Sequence, residues 1–252
     1  MRRFLAVLAA FACSLPATAQ GIVVRTAAQD NNTLKYDFQH PPKPGICVEV
    51  MRAMEALVPG LSFDGLDKPR SLARIENELA EGQIDVFCAL IKTPARSARF
   101  QFIDVPVYTV RHKIAVRADD PVDIRSLDEI RKLGANGVII VSRGTAHEDL
   151  LRAQTGLLLD ASTRDTNVNL RKLLHQRGRF FYHTENALRH YIEAEGLDGK
   201  IRLLPTVFKE EGLYFAASRM LHPATAAQLK SALARLAERG QLQKIYASYR
   251  ED

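Results

Sequence analysis

The sequence predicts an α/β protein with mainly parallel sheets that are covered by helices. Short apolar runs typical of buried strands alternate along the chain with segments that carry apolar residues at helical spacing. The predicted strands include residues 21–29, 83–91, 113–118 and 137–142. Strands that alternate with helices at this pitch pair in parallel, so each sheet needs helices on both faces.

The helices are indicated by their apolar faces and their ends. The first predicted helix has one apolar face, which consists of Cys47, Met51, Met54 and Val58. Ser71 precedes a second helix, and Ser126 with Glu129 forms a capping-box pattern. Residues 224–249 predict two final helices separated by Gly240.

The first residues predict a secretory signal peptide. Two arginines precede the apolar residues 4–12, and small residues at 17–19 would suit a signal peptidase, so we expect residues 1–19 to be removed and the rest to be soluble in the periplasm. The alternative is a lipid anchor on Cys13, for which Ala10 stands where a leucine-like residue is usual.

Charge and cysteine content narrow the classes of function. Loss of the leader reduces the formal charge from +6 to about +4, and the basic residues are scattered, which argues against binding to nucleic acid. Cys47 and Cys88 remain, and both a disulfide bond and two buried thiols are compatible with the sequence.

Five segments in order resemble the type II periplasmic solute-binding proteins of ABC importers, which form the bacterial extracellular solute-binding protein family 3 and carry polar amino acids and related acids. These segments are GICVEVMRAME, LAEGQIDVFCALIKTPAR, FQFIDVPVY, SLDEIRKLGANGVIIVSRGTAHEDLL and LARLAERGQLQKIYASY. The resemblance implies two α/β lobes joined by two crossover strands, with a ligand bound between them. Lobe 1 would be residues 20–111 with 208–252, lobe 2 would be residues 112–207, and the crossovers would be residues 108–113 and 203–208.

In lobe 1 the resemblance makes Arg96 the residue that binds the ligand's carboxylate. A guanidinium offers parallel N–H donors that match a carboxylate, although an arginine at a helix start is also common on a surface. Thr93 would contact the ligand or simply cap the following helix. Tyr36 would stack over the ligand or pack in the core, and Ala89 and Ile91 would form the wall, where the family has small hydroxyl-bearing residues.

In lobe 2 the resemblance implies that Gly144, Thr145 and Ala146 present backbone amides at a helix start to the ligand. Thr145 with Glu148 is also an ordinary capping box, which needs no ligand. Glu185 is the candidate partner for a ligand ammonium, followed by Asn186, and an acid at a helix start is the alternative explanation for Glu185. If neither contacts the ligand, an organic acid becomes more attractive than an amino acid.

The resemblance implies a monomeric binding protein that captures an amino acid or organic acid for an inner-membrane ABC permease. We expect no metal, because His183 and His190 have no further ligand at a convincing spacing. We also expect no catalysis or cofactor, because the sequence has no Ser/His/Asp order, nucleotide-binding glycine loop or pair of catalytic carboxylates. One alternative is a dehydratase-like enzyme that uses Glu185 or His183 as a general acid, and another is a soluble sensory protein.

Overall fold

The computed structural model describes residues 21–249, so the predicted signal peptide lies outside the described residues. Strands and helices alternate as predicted. Up to the first crossing between lobes the elements are β1 (Ile22–Arg25), β2 (Ala28–Gln29), α1 (Ile46–Leu57), β3 (Leu61–Asp64), β4 (Pro69–Arg70), α2 (Leu72–Ala80), β5 (Val86–Ile91), α3 (Pro94–Arg99) and β6 (Gln101–Arg117). After it come α4 (Leu127–Lys132), a short helical turn (Gly134–Gly137), β7 (Ile139–Ile140), α5 (Ala146–Arg152), β8 (Leu159–Asp160), α6 (Thr166–Leu174), β9 (Phe180–Thr184), α7 (Glu185–Ala194), β10 (Ile201–Leu203), β11 (Lys209–Ala217), α8 (Pro223–Glu238) and α9 (Gln241–Ser248).

Two long strands connect the two parts of the molecule. β6 is 17 residues long, and β11 runs antiparallel to it, from Lys209 opposite His112 to Ala217 opposite Gln101. The largest sheet is therefore continuous, in the order β5, β11, β6, β9, β7 and β8, with β10 also paired to β6. This is the predicted α/β fold with two lobes and two crossovers. The lobe boundaries stay a prediction and serve below as names.

The sheets are mixed rather than mainly parallel. Pairing is parallel for β1 with β3, β2 with β4, and β7 with β8 and β9. All pairs that involve β6 or β11 are antiparallel, because these two strands cross between the lobes in opposite directions. Residues 204–208 form no strand, and β11 makes the return crossing instead.

Two hydrophobic cores stabilise the fold. The larger core includes side chains of α1, β5, β11 and α8, such as Met51, Phe87, Phe215 and Leu229. β5 is buried at every position, which explains its uninterrupted apolar sequence. The smaller core lies in lobe 2 around Phe180. Cys47 and Cys88 are buried in the larger core as free thiols.

Predicted helix ends are confirmed where a local pattern specifies them. The Ser71 hydroxyl accepts from the amide of Arg74 at the start of α2, and the Ser126 hydroxyl accepts from the amide of Glu129 at the start of α4. Gly240 has a left-handed backbone (φ +65°) between α8 and α9, as expected of a glycine that ends a helix.

Gly45 fixes the main chain of Lys35, a residue whose side chain reaches the candidate site described below. Gly45 has φ +103°, and a Cβ there would lie 2.3 Å from the carbonyl carbon and oxygen of Lys35. The Lys35 carbonyl also accepts from the amide of Cys47 at 3.2 Å. The loop before α1 is therefore held against the start of that helix by a contact that only glycine allows.

We expect Gly45→Ala to destabilise the protein by about 3 kcal/mol or more, since it combines an unfavourable φ with a backbone clash. Gly199→Ala is the matched control, because Gly199 also has positive φ (+77°) but no atom lies within 4 Å of its added Cβ. The control should cost only about 1 kcal/mol. Urea unfolding measures both free energies, and equal losses would contradict the proposed clash.

Candidate functional site

A small cavity lies between the lobes, where the sequence predicts the ligand. It encloses about 100 Å³ and is lined by residues 29–35, β5 and α3 from lobe 1, and by α5, β9 and α7 from lobe 2. Tyr108 and Val110 of the β6 crossover also contribute to the wall. A wider groove of about 1250 Å³ lies beside it and shares five lining residues with it: Asn31, Tyr108, Thr166, Asn186 and Tyr191.

Arg96 is buried (7% exposed) and lines the cavity. Its Nη1 donates to the Ile91 carbonyl at 3.0 Å, and its Nε and Nη2 donate to Oε1 of Glu76 at 3.1 and 2.8 Å. A guanidinium has more N–H groups than these contacts use, so Arg96 retains donors for a ligand. The Arg96 side chain does not point to bulk solvent. It is already paired with Glu76, and the sequence did not predict this ion pair.

Thr93 caps α3. Its hydroxyl accepts from the Arg96 amide at 3.2 Å, and Pro94 occupies the first helical position. Thr93 does not line the cavity. Its local role therefore holds α3, and thereby Arg96, in place.

The start of α5 is capped by Thr145 and Glu148, but Glu148 reaches the amide of Gly144 rather than that of Thr145. The Thr145 hydroxyl donates to the Ser142 carbonyl at 2.7 Å and accepts from the Glu148 amide at 3.4 Å, while a Glu148 carboxylate oxygen accepts from the Gly144 amide at 2.7 Å. Thr145 and Ala146 line the cavity, and Gly144 does not. The Gly144 amide is thus bound by Glu148 within the same lobe.

Lys35 was not identified from the sequence, and it lines the cavity beside β5. Its ammonium donates to the Ala89 carbonyl at 2.6 Å. Ala89 also lines the cavity and has an unusual φ of +56°, at an irregularity in the pairing of β5 with β11. Burial lowers the pKa of Lys35. No local pattern marks this residue, since its role depends on where the loop before α1 packs.

Three histidine rings meet beside the cavity. The centroid of His147 lies 4.7 Å from that of His112 and 4.8 Å from that of His183. Burial lowers the pKa of His183 to about 3, and the Nδ1 of His183 accepts from the Thr184 amide at 2.8 Å. Burial, followed by the neighbouring His183 and His112, lowers the pKa of His147 well below its usual value. Both rings that line the cavity, His147 and His183, are therefore neutral at pH 7.

Glu185 lies at the wider groove rather than at the small cavity. Arg111, Lys113 and Arg189 are 2.7, 3.5 and 3.0 Å from its carboxylate oxygens. Burial alone would raise the pKa of Glu185, but these cations, with Arg189 first, lower it. Asn186 does line the cavity, and its buried side-chain oxygen has no hydrogen-bond partner among the described residues.

Tyr36 packs in the larger core. Its ring stacks on Phe87 with centroids 6.1 Å apart, and it does not line the cavity.

Of the ten predicted site residues, the structure brings six to the cavity: Arg96, Thr145, Ala89, Ile91, Ala146 and Asn186. The other four, Thr93, Tyr36, Gly144 and Glu185, lie outside its lining.

Within residues 21–249, no group of three histidine, cysteine or acidic side chains is arranged to hold a metal ion. The same part of the chain has no helix long and apolar enough to cross a bilayer.

Solved structures show the same fold at low sequence identity. A histidine kinase sensor domain similar to periplasmic binding proteins superposes with a TM-score of 0.76 at 18% identity and covers 91% of this chain and 96% of its own. An ancestral amino-acid-binding protein described as a precursor of cyclohexadienyl dehydratase gives 0.72 at 17%, covering 90% and 95%. An amino acid ABC transporter substrate-binding protein from Streptococcus pneumoniae bound to L-arginine gives 0.72 at 17%, covering 90% and 94%.

Family membership rests on the sequence itself. No curated protein sequence matches the chain. The family model for bacterial extracellular solute-binding proteins, family 3, matches residues 22–252, which is nearly the whole chain. The chain therefore belongs to the bacterial extracellular solute-binding proteins, family 3.

Proposed function

We propose that this protein is a monomeric periplasmic receptor that captures a small carboxylate-bearing ligand, an amino acid or an organic acid, and delivers it to an inner-membrane ABC permease. The observation that carries the proposal is the buried guanidinium of Arg96 in the wall of the cavity between the lobes. A carboxylate removed from water needs charged donors in fixed positions, and Arg96 has its plane fixed by Glu76 and Ile91.

Contacts across the cavity support a closed arrangement of the lobes. The hydroxyl of Tyr191 in lobe 2 accepts from the Thr33 amide at 3.2 Å and donates to the Asn31 carbonyl at 3.1 Å. The Nε2 of His190 lies 2.8 Å from the Thr33 hydroxyl. A ligand that contacts both lobes would favour this arrangement through its higher affinity for the closed state.

The geometry favours binding over catalysis. The two candidate general acids were Glu185 and His183. Glu185 faces three cations outside the cavity, and the low pKa of His183, about 3, leaves it without the imidazolium proton that a general acid would transfer at neutral pH. A sensory protein would use the same ligand capture with a different partner.

Calorimetry and thermal-shift screening of the mature protein against amino acids and organic acids test the proposal. A ligand should bind at a single site and raise the melting temperature of the protein by mass action. The ligand should be recovered chemically unchanged. Conversion of the ligand would support the enzyme alternative instead.

We expect Arg96→Ala to abolish the thermal shift produced by the ligand, because the carboxylate loses its fixed donor. Arg99→Ala is the matched control, since Arg99 also lies near Glu76 (3.5 Å) but does not line the cavity. Arg96→Lys, which keeps the charge and only part of the geometry, should bind weakly and serves if the alanine variant fails to fold. A normal shift in Arg96→Ala would refute the assignment.

We expect Tyr191→Phe to weaken binding by about tenfold, because the closed state loses two hydrogen bonds between the lobes. Tyr214→Phe is the control, since the Tyr214 ring packs on Phe102 away from the cavity. Calorimetric titration measures both affinities, and an unchanged affinity in Tyr191→Phe would show that these contacts do not stabilise the bound state.

A further inference from the structure

The cavity is lined by basic side chains and by no acidic one among the described residues. Lys35, Arg96 and Arg164 all contribute to its wall. The nearby acids already have partners: Glu76 pairs with Arg96, Asp30 lies 3.7 Å from Arg164, Glu148 accepts from Gly144, and Glu185 is surrounded by three cations at the wider groove. A ligand ammonium would therefore meet neutral acceptors, such as the unpartnered oxygen of Asn186, but no carboxylate to replace its hydration.

Lys35 adds a positive charge to the cavity that no acidic side chain within residues 21–249 balances. Its ammonium has one hydrogen bond, to the Ala89 carbonyl, and no carboxylate of the described residues lies within ion-pair distance. Burial lowers the pKa of Lys35, and the nearby cation of Arg96 lowers it further. An anion in the cavity would supply the missing counter-charge.

His147 gives a second, independent indication. It is 5% exposed and lines the cavity, and neither ring nitrogen has a hydrogen-bond partner among the described residues. The groups around it are neutral or basic: His112 on β6, Tyr182 and His183 on β9, with Arg96 and Lys35 farther away. A buried polar group without a partner is costly, so a ligand oxygen that accepts from the N–H of this ring would remove part of the penalty.

The neighbouring rings differ from His147 because each has at least one partner at hydrogen-bond distance. The Nδ1 of His112 lies 2.9 Å from the Tyr182 hydroxyl, and its Nε2 lies 2.9 Å from a Glu211 carboxylate oxygen, an ion-pair contact without hydrogen-bond geometry. The Nδ1 of His183 accepts from the Thr184 amide, so its proton lies on Nε2 as a donor.

From these observations we propose that the ligand is a small organic anion without an ammonium group, a dicarboxylate or hydroxycarboxylate, with a carboxylate bound by Arg96 and Lys35 and a further oxygen bound by His147. The inference rests on the proposed function and narrows the ligand from an amino acid or organic acid to an organic acid. It also assigns ligand contacts to Lys35 and His147, which the sequence pattern does not indicate.

Matched ligand pairs test the ligand class. Succinate and L-aspartate, glutarate and L-glutamate, and L-lactate and L-alanine differ at the position of the ammonium, and calorimetry with the mature protein would measure each. At least one acid should bind, about tenfold or more tighter than its amino-acid counterpart. Tighter binding of any amino acid would overturn this inference and leave the proposed function intact. No binding by any acid or any amino acid in a full screen would overturn both.

Variants test the two assigned residues with the acid that binds best. His147→Leu should weaken binding by about tenfold or more, while His147→Gln, which keeps a donor and an acceptor, should retain most of the affinity. His175→Leu, at the exposed end of α6, is the control.

Lys35→Met should weaken binding more than Lys68→Met, since Lys68 is exposed and outside the cavity. Wild-type affinity in both His147→Leu and Lys35→Met would refute their assignment.

Discussion

The ion pair between Arg96 and Glu76 is the contact on which the candidate site depends. One guanidinium joins α3, which carries it, to α2 through Glu76 and to β5 through the Ile91 carbonyl. The arginine is thus held in one orientation before any ligand arrives, which reduces the entropy lost on binding. The same contact has a cost for affinity, because Glu76 neutralises much of the charge that a carboxylate would meet. A second cation is therefore needed, and Lys35 is placed to provide it.

Lys35 reaches the cavity because of two backbone features that lie far apart in the sequence. Gly45 allows the loop before α1 to pack directly on the helix start, and Ala89 turns its carbonyl towards the ammonium at an irregularity in β5. The φ of Ala89, +56°, is unfavourable for a residue with a Cβ. Backbone strain of this kind persists where surrounding contacts enforce it, and such positions cluster at binding sites. The buried apolar surface of β5 supplies that enforcement here.

The sequence predicted what depends on local patterns and missed what depends on tertiary packing. Strand and helix alternation, the caps at Ser71 and Ser126 and the break at Gly240 could all be identified within a few residues. The position of Arg96 came from the family resemblance. By contrast, the partners of Glu185 come mostly from β6, and Lys35 meets β5 only after the chain has folded. No spacing in the sequence encodes contacts between residues so far apart.

Charge also bears on how the lobes would close. Lobe 1 contributes Lys35 and Arg96 to the cavity, and lobe 2 contributes His147 and His183. Closure buries these groups together, and burial with mutual repulsion holds the pKa of both histidines below the usual value. Protonated histidines would therefore oppose closure, whereas an anion between the lobes would offset the repulsion and compensate for lost hydration. The charge of the ligand would therefore favour the closed state together with the contacts of Tyr191 with Asn31 and Thr33.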